Sequence, residues 1–242
     1  MNFVEFSQLD YAANAARPDP QGLVLDARYR TFHLPFVNAS HRDVIPSDAG
    51  TTMGRFPTPR RSLVAFIDQR TIDDSHVLGT FMAALKASCV GSKFDWCMPV
   101  RRRNLMHFTV SPIEESVLPD RVAHGISGAR PFHVRVLGPW LGRARNNGRL
   151  YLPACPEKRQ DQNVIHEIQQ RIGAASTNFY GIGYLNLADH LSAEELDCLL
   201  AIISANATAL AFQARSIGCR SLRAFDSLVL ESKEIASYEL RH

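Results

Sequence analysis

Asn104-Leu105-Met106-His107-Phe108-Thr109-Val110-Ser111-Pro112 is the stretch from which the rest of the chain is read. It alternates as a half-buried strand does, with Met106, Phe108 and Val110 toward one face and Leu105, His107, Thr109 and Ser111 toward the other. An imidazole and a hydroxyl thus stand two residues apart on one face. His107 can take or give a proton, and Thr109 can donate to an oxyanion. Arg101, Arg102 and Arg103 run straight into this strand. Of these, Arg101 and Arg103 are the expected phosphate contacts.

Upstream, Ser62 to Asp68 is nearly continuously apolar and predicts a strand covered on both faces. A helix follows over about 76–88, capped by Asp73, Asp74 or Ser75, with Val77, Phe81, Ala84 and Leu85 on one side. Residues 91–99 read as a loop. Downstream, Phe132 to Gly138 alternates as a strand, and Asn147-Gly148 marks a turn before the strand at Arg149 to Leu152. Val164, Ile168 and Ile172 predict a helix over 163–174. Ile182 to Asp189 is a second strand with a polar face, carrying Tyr184, Asn186 and Ala188 opposite Leu185 and Leu187. Ser192-Ala193-Glu194-Glu195 has the form of a capping box opening the next helix. Strands at 212–217 and 227–230 and an edge at 237–240 close the chain. Residues 1–60 are the least regular: a short helix over 3–16, a turn-rich segment at 29–36, and an extended loop at 46–59. His33 and His41 are possible site residues there.

The composition is that of an ordinary folded protein of 242 residues, 45% hydrophobic and 21% charged. A net charge of +3 does not by itself announce a nucleic-acid partner. Five cysteines without a Cys-x-x-Cys pair argue against a disulfide framework or a structural zinc site, and for a reducing, cytoplasmic setting. The first residues carry no signal-peptide pattern, and no membrane span is expected. Phosphate-loop, nucleophile-elbow and His-Glu-x-x-His motifs are missing.

Leu105-Met106-His107-Phe108-Thr109-Val110, the middle hairpin from Arg130-Pro131-Phe132 through Leu152, the helix-loop-strand at 163–189, and the Leu-Ser-x-Glu-Glu helix before a terminal Leu-Val-Leu together resemble the 2H phosphoesterase superfamily, which includes RNA 2′,3′-cyclic phosphodiesterases and 2′-5′ RNA ligase-like proteins. The resemblance covers about residues 60–240. It implies an α+β fold of two pseudo-symmetric lobes around a cleft, each an antiparallel sheet with flanking helices. The lobes would span about 61–125 and 126–242, with strands exchanged between sheets and residues 1–60 as an extension. It further implies acid/base hydrolysis of a cyclic or 2′-5′-linked nucleotide or RNA-end phosphodiester, with no metal or organic cofactor. His107 and Thr109 match the first His-x-Thr motif. At the second, Tyr184 and Asn186 stand where the histidine and threonine belong. Tyrosine, with an ordinary pKa near 10, is a poor base but a usable donor, and an amide can replace a hydroxyl donor. His190-Leu191-Ser192 also satisfies His-x-Ser, which makes His190 a further phosphate-contact candidate, although Ser192 is better explained as a helix cap. The alternative is a non-catalytic nucleotide- or RNA-end-binding module that retains the cleft.

Overall fold

In the computed structural model, which describes residues 1–10, 15–45, 60–113, 119–142, 147–206, 209–223 and 231–241, two antiparallel sheets divide the strands between them. In chain order the strands are β1 (Asn2–Phe3), β2 (Arg60–Phe66), β3 (His107–Ile113), β4 (Phe132–Leu137), β5 (Trp140–Leu141) and β6 (Arg149–Arg159). Then come β7 (Gln162–Asn163), β8 (Gly181–Asn186), β9 (Ala209–Ala214), β10 (Ser216–Arg223) and β11 (Glu231–Glu239). The smaller sheet runs β11-β10-β2-β3. The larger is built around β6, which pairs with β1, β4, β5, β7 and β8, while β9 adds to the outer side of β4. The protein is therefore α+β. The last two strands return to the sheet that holds β2 and β3, so the C-terminal half supplies strands to both sheets.

The helices are α1 (Ala27–Phe32), α2 (Leu34–Val37), α3 (Gln69–Asp73), α4 (His76–Ala87), α5 (Met98–Arg101), α6 (Pro119–Ile126), α7 (Val164–Ile172) and α8 (Ala193–Ala205). Their boundaries follow local chemistry. Ser75 caps α4 by accepting from the Leu78 N–H, and Asn163 caps α7 by accepting from Ile165. Ser192 and Glu195 close the expected capping box on α8. Gly173 ends α7 with φ 72°, a left-handed conformation that suits a residue without Cβ. α4 buries Leu78, Phe81 and Leu85 in the core.

The N-terminal readings need correction. Phe3 lies in a strand opposite Glu157, and among the described residues of this stretch a 3-10 turn follows at Phe6–Gln8, because this segment completes the edge of β6 instead of coiling alone. Ala27 to Val37 forms two short helices, started by Asp26, whose carboxylate accepts from the Tyr29 N–H. Residues 91–99, read as a loop, contain a 3-10 turn at Gly91–Lys93 and the start of α5. The loop at 46–59 and the strand at 227–230 lie outside the described residues. Val4, Leu9, Leu23, Leu25, Tyr29 and Leu34 join the same apolar core as the sheets. Among the described residues, no helix is long and apolar enough to cross a membrane.

Candidate functional site

β3 and β8 lie against one another without sharing a ladder, each on its own sheet. Each carries a bulge. In β3, Thr109 stands opposite Val64 and Ser111 opposite Leu63, which leaves Val110 as the extra residue. In β8, Leu185 stands opposite Leu150 and Gly183 opposite Tyr151, which leaves Tyr184 as the extra residue. A bulge breaks strict alternation and re-aims the side chains beyond it. Ser111 consequently leaves the face that His107 and Thr109 share and is fully buried. On β8, Gly183 and Asn186 come to the side of the sheet occupied by Arg149 and Tyr151, and Tyr184 falls out of register.

The β3 face is assembled from three strands. His107 is opposite Phe66, and their rings meet edge-on with centroids 5.6 Å apart. Across β2, Arg220 of β10 stands opposite Ser62, and its guanidinium lies 4.9 Å from the Phe66 ring centre. Thr109 is half-buried beside His107. His107 Nδ1 is 2.7 Å from the Leu105 carbonyl. A carbonyl only accepts, so Nδ1 carries the hydrogen and the Nε2 lone pair is left to act as a base. Burial, then the charges of Arg102, Arg220 and Arg149, push the imidazole down to a pKa of about 3. His107 is therefore neutral.

The β8 face is assembled differently. Arg102 is only 6% exposed and donates through Nη1 to the Gly183 carbonyl at 2.7 Å. A Cβ at residue 183 would sit 2.9 Å from that Nη1 and collide with Arg149 Nη2. Gly183 is the gap into which two guanidiniums fit. Neither is ion-paired among the described residues, and after burial the neighbouring Arg149 is what drives Arg102 down to about 10, with only Tyr151 opposing. Arg149 Nε is buried without a hydrogen-bond partner, although its guanidinium covers the Tyr151 ring at 5.1 Å. Asn186 stands opposite Arg149 in the ladder, wholly buried, with both amide atoms unpartnered. Leaving a buried charge uncompensated costs several kcal/mol, and an unpaired buried amide roughly 1–3 more. A folded chain keeps such groups where something else supplies the missing partner.

The residues singled out in the sequence are distributed as follows. His107, Thr109 and Asn186 come to the facing strands. Tyr184 is buried, and burial alone raises its hydroxyl to about 12; it makes no hydrogen bond or ring contact among the described residues, so no contact pairs it with His107. Arg101 and Arg103 are exposed, the first 3.8 Å from Asp95 and the second 2.6 Å from Asp73. The arginine between them is the one that reaches inward. Met98 is fully buried, and Arg102, four residues on, continues the same helical face. His190 is fixed elsewhere: Nδ1 accepts from the Leu25 N–H at 2.9 Å and Nε2 lies 2.7 Å from Asp43. Arg102 belonged to the arginine run but was not among the expected contacts, and Arg149 and Arg220 had no place in the expected site. The signals for them were the Met98-to-Arg102 spacing and the Arg149-x-Tyr151 alternation opposite Leu150 and Leu152.

His41, Asp43 and His190 bring three potential metal ligands within 4.8 Å of one another. Each imidazole, however, spends its Nδ1 lone pair on a backbone N–H, that of Asp43 for His41 and of Leu25 for His190. Nε2 then carries the proton, donated to Asp189 and Asp43 respectively. A cation here would require an imidazolate, so the cluster reads as a hydrogen-bonded strut. A polar hollow of about 340 Å³, lined by Gln8, Lys158, Asn163, His166 and Gln170 among others, shares no lining residue with the cleft.

No family model and no curated protein matches the chain. A solved structure described as "Crystal structure of phosphoesterase" is similar over 76% of this chain and 99% of its own, at 8% identity and a TM-score of 0.44. The chemistry of the cleft has to be taken from its own side chains.

Proposed function

We propose that the cleft between β3 and β8 binds a phosphodiester and hydrolyses it, with His107 as the general base. The observation that carries this is the pair of guanidiniums at Gly183, neither of them ion-paired among the described residues, beside a His107 that burial and their charge keep neutral. Paired guanidiniums match the oxygens of a phosphate bidentately, and a bound anion would supply a counter-charge to both. The Nε2 lone pair of His107 would take the proton of the attacking water as the phosphorus–oxygen bond forms, and Thr109 would donate to a phosphate oxygen. Two strands from separate sheets set against each other suit the 2H-like resemblance, and so favour a cyclic or 2′-5′-linked nucleotide or an RNA end as substrate.

Turnover of 2′,3′-cyclic nucleotides by the natural protein and by His107→Ala tests the assignment. Loss of a positioned base is expected to lower kcat by roughly 10²–10⁴. No turnover by the natural protein, or turnover indifferent to the substitution, would refute the hydrolytic reading. The isolation of Tyr184 favours one second reading, a module that binds the phosphate and does no chemistry. It predicts nucleotide monophosphate binding that weakens with salt and is never followed by hydrolysis.

A further inference from the structure

Hydrolysis of an unactivated phosphodiester needs a proton for the departing oxygen as well as a base for the water. His107 in its resting tautomer offers only a lone pair to the cleft. Tyr184 feels burial and no neighbouring charge, and the Tyr29 hydroxyl is spent on the Leu187 carbonyl at 2.6 Å. Lys93 is ion-paired to Asp189 at 2.8 Å. The N-terminal segment supplies another imidazole. His33 ends α1, its backbone N–H donating to the Tyr29 carbonyl, and its ring lies 5.2 Å from that of Tyr29 four residues earlier. Tyr29 is clamped in place: any Cβ at Gly148 would run into its ring, and its hydroxyl is held by Leu187. Gly148 and Leu187 are the chain neighbours of Arg149 and Asn186, which face each other across β6 and β8. Through Tyr29, His33 therefore lies near the chain neighbours of the Arg149–Asn186 pair, with Nδ1 buried and unpartnered.

We propose that His33, supplied by the N-terminal segment, is the second proton-transfer residue of this site, in place of the histidine absent from the β8 strand. The inference rests on the hydrolytic reading above. The charged groups that face His33 are Arg149, Arg28 and Arg102; after burial, they hold its pKa well below the ordinary imidazole range. His33 and His107 thus feel the same two guanidiniums, Arg102 and Arg149. A bound phosphate anion offsets those charges and so favours the protonated form of His33. In the reaction the water oxygen bonds to phosphorus as the bond to the leaving oxygen breaks. His107 Nε2 accepts the water's proton, and the ring N–H of His33 passes one to the leaving oxygen. The net change is one water added across one P–O bond.

The test compares two leaving groups. A 2′,3′-cyclic nucleotide expels an alkoxide that must be protonated, whereas bis(4-nitrophenyl) phosphate expels a phenolate that need not be. His33→Gln is expected to lose roughly 10²–10⁴ in kcat on the cyclic nucleotide and less than about tenfold on the nitrophenyl ester, while His107→Ala loses on both. Equal losses on the two substrates, or none on the cyclic one, overturn the assignment of His33 and leave the hydrolytic reading standing. A natural protein inactive on both substrates removes the hydrolytic reading itself. Should His33→Gln fail to fold, His33→Ala with added imidazole serves: partial recovery on the cyclic nucleotide alone supports the proposal, and no recovery overturns it.

Discussion

The two strands that face each other across the cleft solve the same problem in opposite ways. β3 presents its own chemistry, an imidazole and a hydroxyl on a face backed by Phe66. β8 presents an absence: Gly183 leaves a hollow, Tyr184 is bulged out of register, and the charge is brought by Arg102 and Arg149 from other elements. A strand can thus contribute to a site by what it lacks, and a reading that looks only for functional side chains on it misses that contribution.

The largest effect should come from filling the gap. Gly183→Ala places a Cβ on both guanidiniums and should weaken phosphate binding by roughly a hundredfold or more, the worth of one or two charge-assisted hydrogen bonds. Titration calorimetry with inorganic phosphate measures this, and unchanged affinity would mean that the guanidinium pair is not the anchor.

The β3 side is probed by pH. Because the folded pKa of His107 is depressed to about 3, the native state binds fewer protons than the unfolded chain between that value and the ordinary 6.5. The contribution is fully present above about pH 6.5. It is lost as pH falls toward 3, at up to roughly 1.4 kcal/mol per unit. His107→Gln should therefore show a shallower decline in urea-unfolding stability over that window, and an unchanged slope would place the imidazole in water. His33 acts with the same sign, so a double variant should flatten the curve further.

On the β8 side, Arg149→Met should raise the stability of the phosphate-free protein by about 1 kcal/mol, or a few degrees in Tm, because it removes a half-buried charge whose Nε has no partner beside the buried Arg102. The same substitution should abolish most of the thermal stabilisation conferred by added phosphate. A fall in Tm without phosphate would show that the arginine is a structural strut. The smallest effect is expected outside the cleft. Arg101→Ala and Arg103→Ala break exposed ion pairs with Asp95 and Asp73, and should change stability by no more than about 0.5 kcal/mol and leave phosphate binding nearly intact.

Much of the fold was legible because local signals agreed with it. The apolar run at 62–68, the caps at Ser75, Asn163 and Ser192, and the alternation at 132–137 each mark one element by signals within it. The site was legible only in part. His107 and Thr109 could be paired from spacing alone, since both precede the bulge in β3. The alternation that was extended to Ser111 failed at Val110, and the one drawn through Tyr184 failed at Tyr184 itself. A bulge is set by how one strand pairs with another, and neither strand announces it alone.

What the chain determined unaided is the set of elements and the imidazole-hydroxyl pair on β3, because these depend on periods of two and 3.6 residues and on caps within a turn. The tertiary structure decided which arginine of three turns inward, that Arg149 leans over Gly183, that His190 is tied to Leu25 and Asp43, and that the N-terminal segment sets Tyr29 against Gly148 and Leu187. Those outcomes follow from contacts between residues far apart in sequence, where burial and charge are set by whichever groups the fold brings together.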